Sequence, residues 1–276
     1  MLSLYTNAAS LSTLSSMNGT QKDLSTSMQR LGSGYRINSA MDDAAGLQIA
    51  TRLNAQVSGM KVAMRNTQNG ISMLQTAEGA LNEVTNIVTR MKDLATQAAD
   101  GSSSAADQTA MQAEFTDLSA ELTNIMTNTK FGGQALLTGG TLAAAVTFQI
   151  GADSAETYAF TAAAEMTAVG TAQTALAGGN LTGGTANAAI GLATTMLDSV
   201  GALRSKLGAG ANRLDHVFNN LSNMSNNVSQ AKGRIMDTDY ASESATMTTK
   251  QMLMQASTSM LKQSNGMSSM AMALLQ

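Results

Sequence analysis

The sequence predicts a mainly α-helical fold: a long, hairpin-like rod of antiparallel helices packed as coiled coils. Its N- and C-terminal helices pair, and a small β-hairpin sits at the centre. Three observations carry this prediction. The 276 residues contain no proline, the residue that breaks helix interiors by removing an N–H and clashing with the preceding turn. Apolar residues recur at spacings of three, four and seven through most of the chain, the period of one helix face. The segments also run near-symmetrically: helix, link, long helix, central insert, long helix, link, helix. The two ends therefore meet only if the chain folds back on itself.

The first helix spans about Ser3 to Gly32 on a thin stripe of Leu4, Leu11, Leu14, Met17, Leu24, Met28 and Leu31. Such a stripe needs a partner to be stable. Gly32-Ser33-Gly34 stops the helix, its two glycines permitting a tight or left-handed turn. Tyr35 to Met41 is polar and irregular. Ser39 or Asp42 then caps the next helix, with Asp42 and Asp43 where exposed amides favour acid. That second helix runs from about Asp43 to Ala99, and its stripe includes Leu53, Met60, Leu74, Leu81 and Val88. Gly59, Gly70 and Gly79 either weaken it, by up to roughly 1 kcal/mol each, or permit close packing. A third helix, about Ala105 to Thr129, returns antiparallel with Met111, Phe115, Leu118, Leu122, Ile125 and Met126 toward the seam.

From Phe131 to about Ala186 the chain turns to Gly, Ala and Thr. Ala145 to Ile150 and Thr157 to Thr161 read as the strands of a hairpin, and the Ala-rich piece after them is ambiguous. The fourth helix has the most regular pattern, with Val200, Leu207, Leu214, Leu221, Val228 and Ile235 every seven residues. Met196, Leu203, Gly210, Val217, Met224 and Ala231 form its companion row, flawed mainly at Gly208 and Gly210. After a polar link at Met236 to Tyr240, a last helix carries Leu253, Met260, Met267 and Leu274. Met254, Leu261 and Leu275 lie beside them.

Composition excludes several function classes. Without Cys there is no disulfide scaffold, cysteine nucleophile or thiolate metal site. The single His216 cannot supply the clustered imidazoles of most zinc or iron sites, and it reads as a solvated or packing residue. Asp42 and Asp43 are adjacent, so on a helix they point about 100° apart and make a poor acid–base couple. No phosphate-cradling loop follows a strand. The chain therefore reads as non-enzymatic, with no catalytic, metal or cofactor site. A net charge of −3 and a pI near 5.1 give no basic field for nucleic acid. No run of about 18 apolar residues spans a bilayer, and the N-terminus lacks the charged and apolar segments of a signal peptide. Charged residues are only 13%, against about 25% in globular proteins. A surface of Ser, Thr, Asn and Gln suggests extensive burial against other copies.

The stretch Arg30-Leu31-Gly32-Ser33-Gly34-Tyr35-Arg36-Ile37-Asn38-Ser39-Ala40-Met41-Asp42-Asp43-Ala44-Ala45-Gly46-Leu47-Gln48-Ile49-Ala50 resembles bacterial flagellin, the filament subunit of the flagellum. Asn66 to Ser72, Gln75 to Leu81, Asn212-Arg213-Leu214, Asn219-Asn220-Leu221, Arg234 to Ala241 and Gln251-Met252-Leu253 continue the likeness in order. The resemblance implies a compact type with a minimal centre. Residues 1–41 and 236–276 would be the two halves of an inner filament-core domain. Residues 42–130 and 188–235 would be the two halves of a helical rod domain, and 131–187 a short variable insert. It implies a secreted structural subunit that polymerises into the hollow filament for swimming or swarming. Expected partners are copies of itself, a filament cap, hook–filament junction proteins and an export chaperone. A hook–filament junction protein is the nearest rival, and a helical binding or adhesion module is a more distant one.

The resemblance also assigns candidate site residues. Arg30 and Arg36 would pair with acids across subunits or hydrogen-bond the link, while Asn38, Ser39, Asp42 and Asp43 satisfy helix-end amides. Gly32, which replaces a serine usual in the family, and Gly34 would let the inner helix reorient. Arg234, Asp237 and Asp239 sit in the opposite link and are expected to face the first. Arg90, Leu94 and Glu114 match a patch that an innate immune receptor recognises in the family, with the two charges around an apolar contact.

Overall fold

The computed structural model describes residues 7–273. Leu4, Leu274 and Leu275 lie outside them, and the side chain of Met267 is also outside the described set. The elements in chain order are α1 (Ala8–Ser33), α2 (Ala44–Ala98), α3 (Ala105–Asn128), β1 (Lys130–Phe131), β2 (Gln134–Ala135), a 3-10 turn (Thr141–Ala143), β3 (Ala145–Gln149), β4 (Thr157–Thr161), α4 (Ala163–Ala177), α5 (Ala186–Met236) and α6 (Tyr240–Ala273). The fold is mainly helical, with two small antiparallel hairpins between the long helices. Two compact units divide it, Met1–Ala55 with Asn227–Gln276, and Gln56–Asn226.

Within Gln56–Asn226 the predicted seam is the core. Met60, Leu74, Leu81 and Val88 of α2 and Val200, Leu207 and Leu214 of α5 are each at most 1% exposed. Met111, Phe115, Leu122 and Met126 close the seam from α3. That helix starts in a capping box: Ser104 accepts from the Asp107 N–H, and Asp107 accepts from the Ser104 N–H, so two orphan amides are satisfied reciprocally. The short pair β1–β2 turns on Gly132 and Gly133 (φ 58° and 84°), the left-handed conformation a two-residue hairpin demands. The β3–β4 hairpin forms where predicted, pairing Ala145↔Thr161 through Gln149↔Thr157. The piece read as ambiguous is α4, which buries Met166, Val169, Ala172 and Leu176.

The hairpin rests on glycines of the long helices. A β-carbon at Gly210 would lie 2.6 Å from the Phe160 ring, one at Gly70 2.9 Å from the Phe148 ring, and one at Gly59 2.7 Å from Ala152 Cβ. Gly210 is therefore a notch, not a flaw in the heptad. Gly79 faces open space, so its helix cost has no packing return. Arg213 stacks over Tyr158 at 4.3 Å, covering the hairpin with a cation on an aromatic face.

In the other unit α1 and α6 run side by side, and the facing rows match the predicted stripes in part: Met17, Leu24, Leu31, Met254 and Leu261 turn inward as read. Ser10, Thr13, Met17, Thr20, Leu24, Ser27 and Leu31 turn inward from α1, against Glu243, Met247, Lys250, Met254, Ser257, Leu261 and Ser264 of α6. Leu11, Leu14 and Met28 are instead 57%, 41% and 51% exposed, and Leu253 and Met260 are 47% and 65% exposed. The inward rows keep an unbroken alternation of three and four by using small polar residues. Following apolar residues alone mixes two faces of the helix. Leu53, Val228 and Ile235 in this unit are half-buried.

Replacing Gly79 with Ala raises the stability of the chain by about 0.5–1 kcal/mol in urea unfolding. Gly210→Ala lowers it by about 1–2 kcal/mol, because the Phe160 ring must move.

Candidate functional site

The two links lie together in the unit that contains α1 and α6. Gly34, at φ 76°, ends α1 and sends its N–H to the Arg30 carbonyl. Its left-handed conformation suits glycine. Gly32, expected to share that turn, is instead inside α1 with nothing near it; an ordinary helical φ needs no glycine. From there the backbone pairs with the opposite link. The Arg36 N–H donates to the Met236 carbonyl at 2.6 Å, and the Thr238 N–H to the Gly34 carbonyl at 3.0 Å, making a single bridge of Tyr35 with Asp237. The Arg36 guanidinium adds a bond to the Ile235 carbonyl at 3.0 Å. Ile37, 3% exposed, is the apolar anchor of the turn.

Capping falls one residue later than expected. The Asp43 carboxylate accepts the Gly46 N–H at 2.8 Å, while its carbonyl takes the first helical bond, from Leu47. Neither Ser39 nor Asp42 caps α2. Asp42 instead ties the turn, accepting from the N–H groups of Asn38 (3.1 Å) and Ser39 (2.9 Å) and from the Ser39 hydroxyl. Asn38 returns a bond to the Tyr35 carbonyl. Backbone donation from Ser39, then Asn38, holds the Asp42 carboxyl below its ordinary value, since these bonds favour the charged form. In the second link Asp239 caps α6, accepting from the Ala241 N–H at 3.0 Å. Asp237 sends its N–H to the Gly233 carbonyl, and Arg234 is exposed in the last turn of α5.

Contacts that the sequence reading did not single out join α1 to α6. Lys250 donates to Asp23 at 2.6 Å, and Arg30 stands 3.7 Å from Glu243 within the same chain. Asn7 caps α1 with its side-chain oxygen and donates its amide to Ser264. The signal was present as opposite charges seven residues apart on each helix. In the other unit Arg90 donates to Glu114 through Nε (2.9 Å) and Nη2 (2.6 Å). Leu94 is only 2% exposed, so this patch presents two charges already paired to each other and no accessible leucine. His216 is exposed. Among the described residues no group of three or more His, Cys, Asp or Glu could hold a metal, and no helix is long and apolar enough to cross a membrane.

Asp43→Ala costs about 1 kcal/mol of stability, the loss of one helix cap, measured by denaturant unfolding. An NMR titration of the Asp42 carboxyl finds its midpoint below 3.8. Its folded value is depressed, so its stabilisation is complete above the unfolded value and is lost as pH falls through the lowered one.

The description "Bacterial flagellin N-terminal helical region" matches residues 4–141, and "Bacterial flagellin C-terminal helical region" matches residues 189–275. Similar curated proteins include a B-type flagellin of Pseudomonas aeruginosa, 44% identical over 158 residues, which are 56% of this chain and 32% of the relative. A flagellin D of Vibrio cholerae is 41% identical over 160 residues, 58% of this chain and 42% of the relative. The chain thus spans less than half the length of these relatives. A solved structure described as a flagellar hook-associated protein of Vibrio parahaemolyticus aligns with a TM-score of 0.60 at 17% identity, covering 71% of this chain and 100% of that one; this likeness shows a shared fold alone. Both helical regions, matched in order at the two ends of one chain, place it in the bacterial flagellin family.

Proposed function

We propose that this chain is the structural subunit of a flagellar filament, assembled from many copies outside the cell. One observation carries the reading. The α1·α6 pair turns Ser and Thr inward beside Met and Leu and leaves further large apolar side chains outside: Leu11, Leu14 and Met28 on α1, and Met252 (58% exposed), Leu253 and Met260 on α6. Surfaces of that kind mark contacts with other proteins. A contact that repeats head to tail between identical copies without closing a ring generates a helical filament. On this reading 1–41 and 236–276 form the inner core, and 42–130 with 188–235 form the layer around it. A filament cap, junction proteins and an export chaperone are the further partners. On this reading the link residues from Arg30 to Asp43, with Arg234, Asp237 and Asp239, join the inner helices to the long ones.

A junction subunit at the hook is the second reading, suggested by the fold likeness to a hook-associated protein. Identity above 40% to flagellins, against 17% in that alignment, argues for the filament subunit.

The purified full chain elongates short filament seeds into long uniform tubes in electron micrographs, and residues 42–235 alone do not. Leu11→Asp and Met260→Asp each reduce elongation at least roughly tenfold, the scale of one lost interface anchor, while far-UV circular dichroism is unchanged. Seeds that the full chain fails to lengthen, with its helices folded, would return the assignment to a junction or binding role.

A further inference from the structure

The α1·α6 seam repeats every seven residues on both helices. Met17, Leu24 and Leu31 of α1 and Met247, Met254 and Leu261 of α6 are all half-buried in it. Sliding one helix by seven residues, about 10 Å, again sets methionine and leucine against one another. Apolar packing therefore leaves the register degenerate by a heptad. The links tie one end by backbone bonds, the Asn7 and Ser10 side chains reach Ser264 and Asn265 at the other, and the 26-residue α1 between them carries the two ion pairs.

The charges are not degenerate. Lys250 bonds to Asp23 at 2.6 Å and Arg30 lies 3.7 Å from Glu243. On each helix an acid precedes a base by seven residues, so antiparallel packing sets the acid of one helix against the base of the other. A one-heptad slide in one direction sets Arg30 opposite Lys250. In the other direction it sets Asp23 opposite Glu243. Either slip exchanges two attractive pairs for a like-charge contact. The Glu243 side chain is 13% exposed, and its Oε1 and Arg30 Nε are buried with no hydrogen-bond partner. Water therefore screens that end of the seam poorly, where a like charge costs most. In coiled coils such flanking charges decide partner and register while the apolar seam supplies the attraction.

We infer that Asp23–Lys250 and Arg30–Glu243 are a register lock for the terminal helix pair. The lock decides which outward residues of α1 stand beside which of α6. A slip would displace the Met252, Leu253 and Met260 face by about 10 Å along the Leu11, Leu14 and Met28 face. The surface that carries the proposed filament contact would then be lost, although both helices remained paired. The lock itself does not depend on the filament reading, because register is a property of one chain.

The chain has no cysteine, so introduced pairs report register without background. Thr20→Cys with Met254→Cys reports the observed register. Thr20→Cys with Leu261→Cys, or with Met247→Cys, reports the two slips. Oxidation is followed by peptide mass mapping, in dilute solution and again after addition to filament seeds, so that pairing formed only on assembly is also read. In the parent the observed-register disulfide dominates. In E243K/K250D, where both native pairs become like-charge, it falls roughly tenfold relative to the slipped products, the combined scale of two pairs lost and two repulsions gained. Full reversal, D23K/R30E/E243K/K250D, restores it. Overturning results are an undiminished observed-register product in E243K/K250D, or no recovery in the full reversal. No cross-link in the parent in either state would overturn the lock as well. Seed elongation is scored separately: a chain locked in register that never elongates seeds sinks the filament reading and leaves the lock standing.

Discussion

A helix keeps one face toward a partner over many turns only if its buried positions repeat every seven residues and the partner's do the same. That constraint governs both units. In Gln56–Asn226 it is met with Leu, Val and Met, and the seam from Met60 to Val88 against Val200 to Leu214 is sealed from water. In the unit holding α1 and α6 the same spacing is met with Ser, Thr, Met and Leu. The geometry is shared and the energetics are not. Each large apolar side chain fully buried contributes about 1.5–3 kcal/mol, so the sealed seam stands by itself. The polar seam holds two helices in place with little to spare.

The distribution of apolar surface follows from that difference. A monomer selected for stability alone would turn Leu11, Leu14 and Met260 inward and Ser10, Thr13 and Ser257 outward. This chain does the reverse. The polar residues cost little in a seam where hydroxyls return to their own helix, as Thr13 and Thr20 do to the carbonyls of Ala9 and Ser16. The apolar residues are left where only another molecule can cover them. Fold and the proposed assembly thus draw on different faces of the same helices.

The long helices, the β3–β4 hairpin and the α2–α5 seam were legible because each has a period longer than local noise. What was not legible turned on details that composition does not carry. The N-cap of α2 fell to Asp43, because Asp42 was already engaged by the amides of Asn38 and Ser39; only the turn's shape decides between adjacent acids. Gly32 looked like a hinge because it neighbours Gly34, yet only Gly34 has a positive φ. The helix α4 was hidden by its alanines and threonines, which lack a polar face against which to see periodicity. The stripes found Met17, Leu24 and Leu31 of α1 and Met254 and Leu261 of α6 but mixed in residues of the outer faces, because the sequence was searched for apolar residues and the seam contains serine and threonine. For the candidate site, the link residues were found by resemblance. The ion pairs that flank it needed two distant helices to be aligned antiparallel before their charges could be matched.

The segment between the two matched regions is the part of the chain that carries least family likeness, and it might be expected to sit apart from the helices. It does not. Phe160 is 2% exposed and Leu176 1% exposed, both within the common core. The notches that receive Phe148 and Phe160 are Gly70, inside the N-terminal match, and Gly210, inside the C-terminal one. A glycine in the middle of a helix costs about 1 kcal/mol relative to alanine, and here that cost is offset by the aromatic ring seated above it, beside Leu214 at Gly70 and Leu74 at Gly210. The insert and the long helices are therefore coupled at these notches, and again where Gly59 meets Ala152 and Arg213 covers Tyr158. An exchanged insert must bring a ring to each notch or leave an exposed, weakened turn of helix there. Variation at the centre of the chain is constrained by packing even where it is free in sequence.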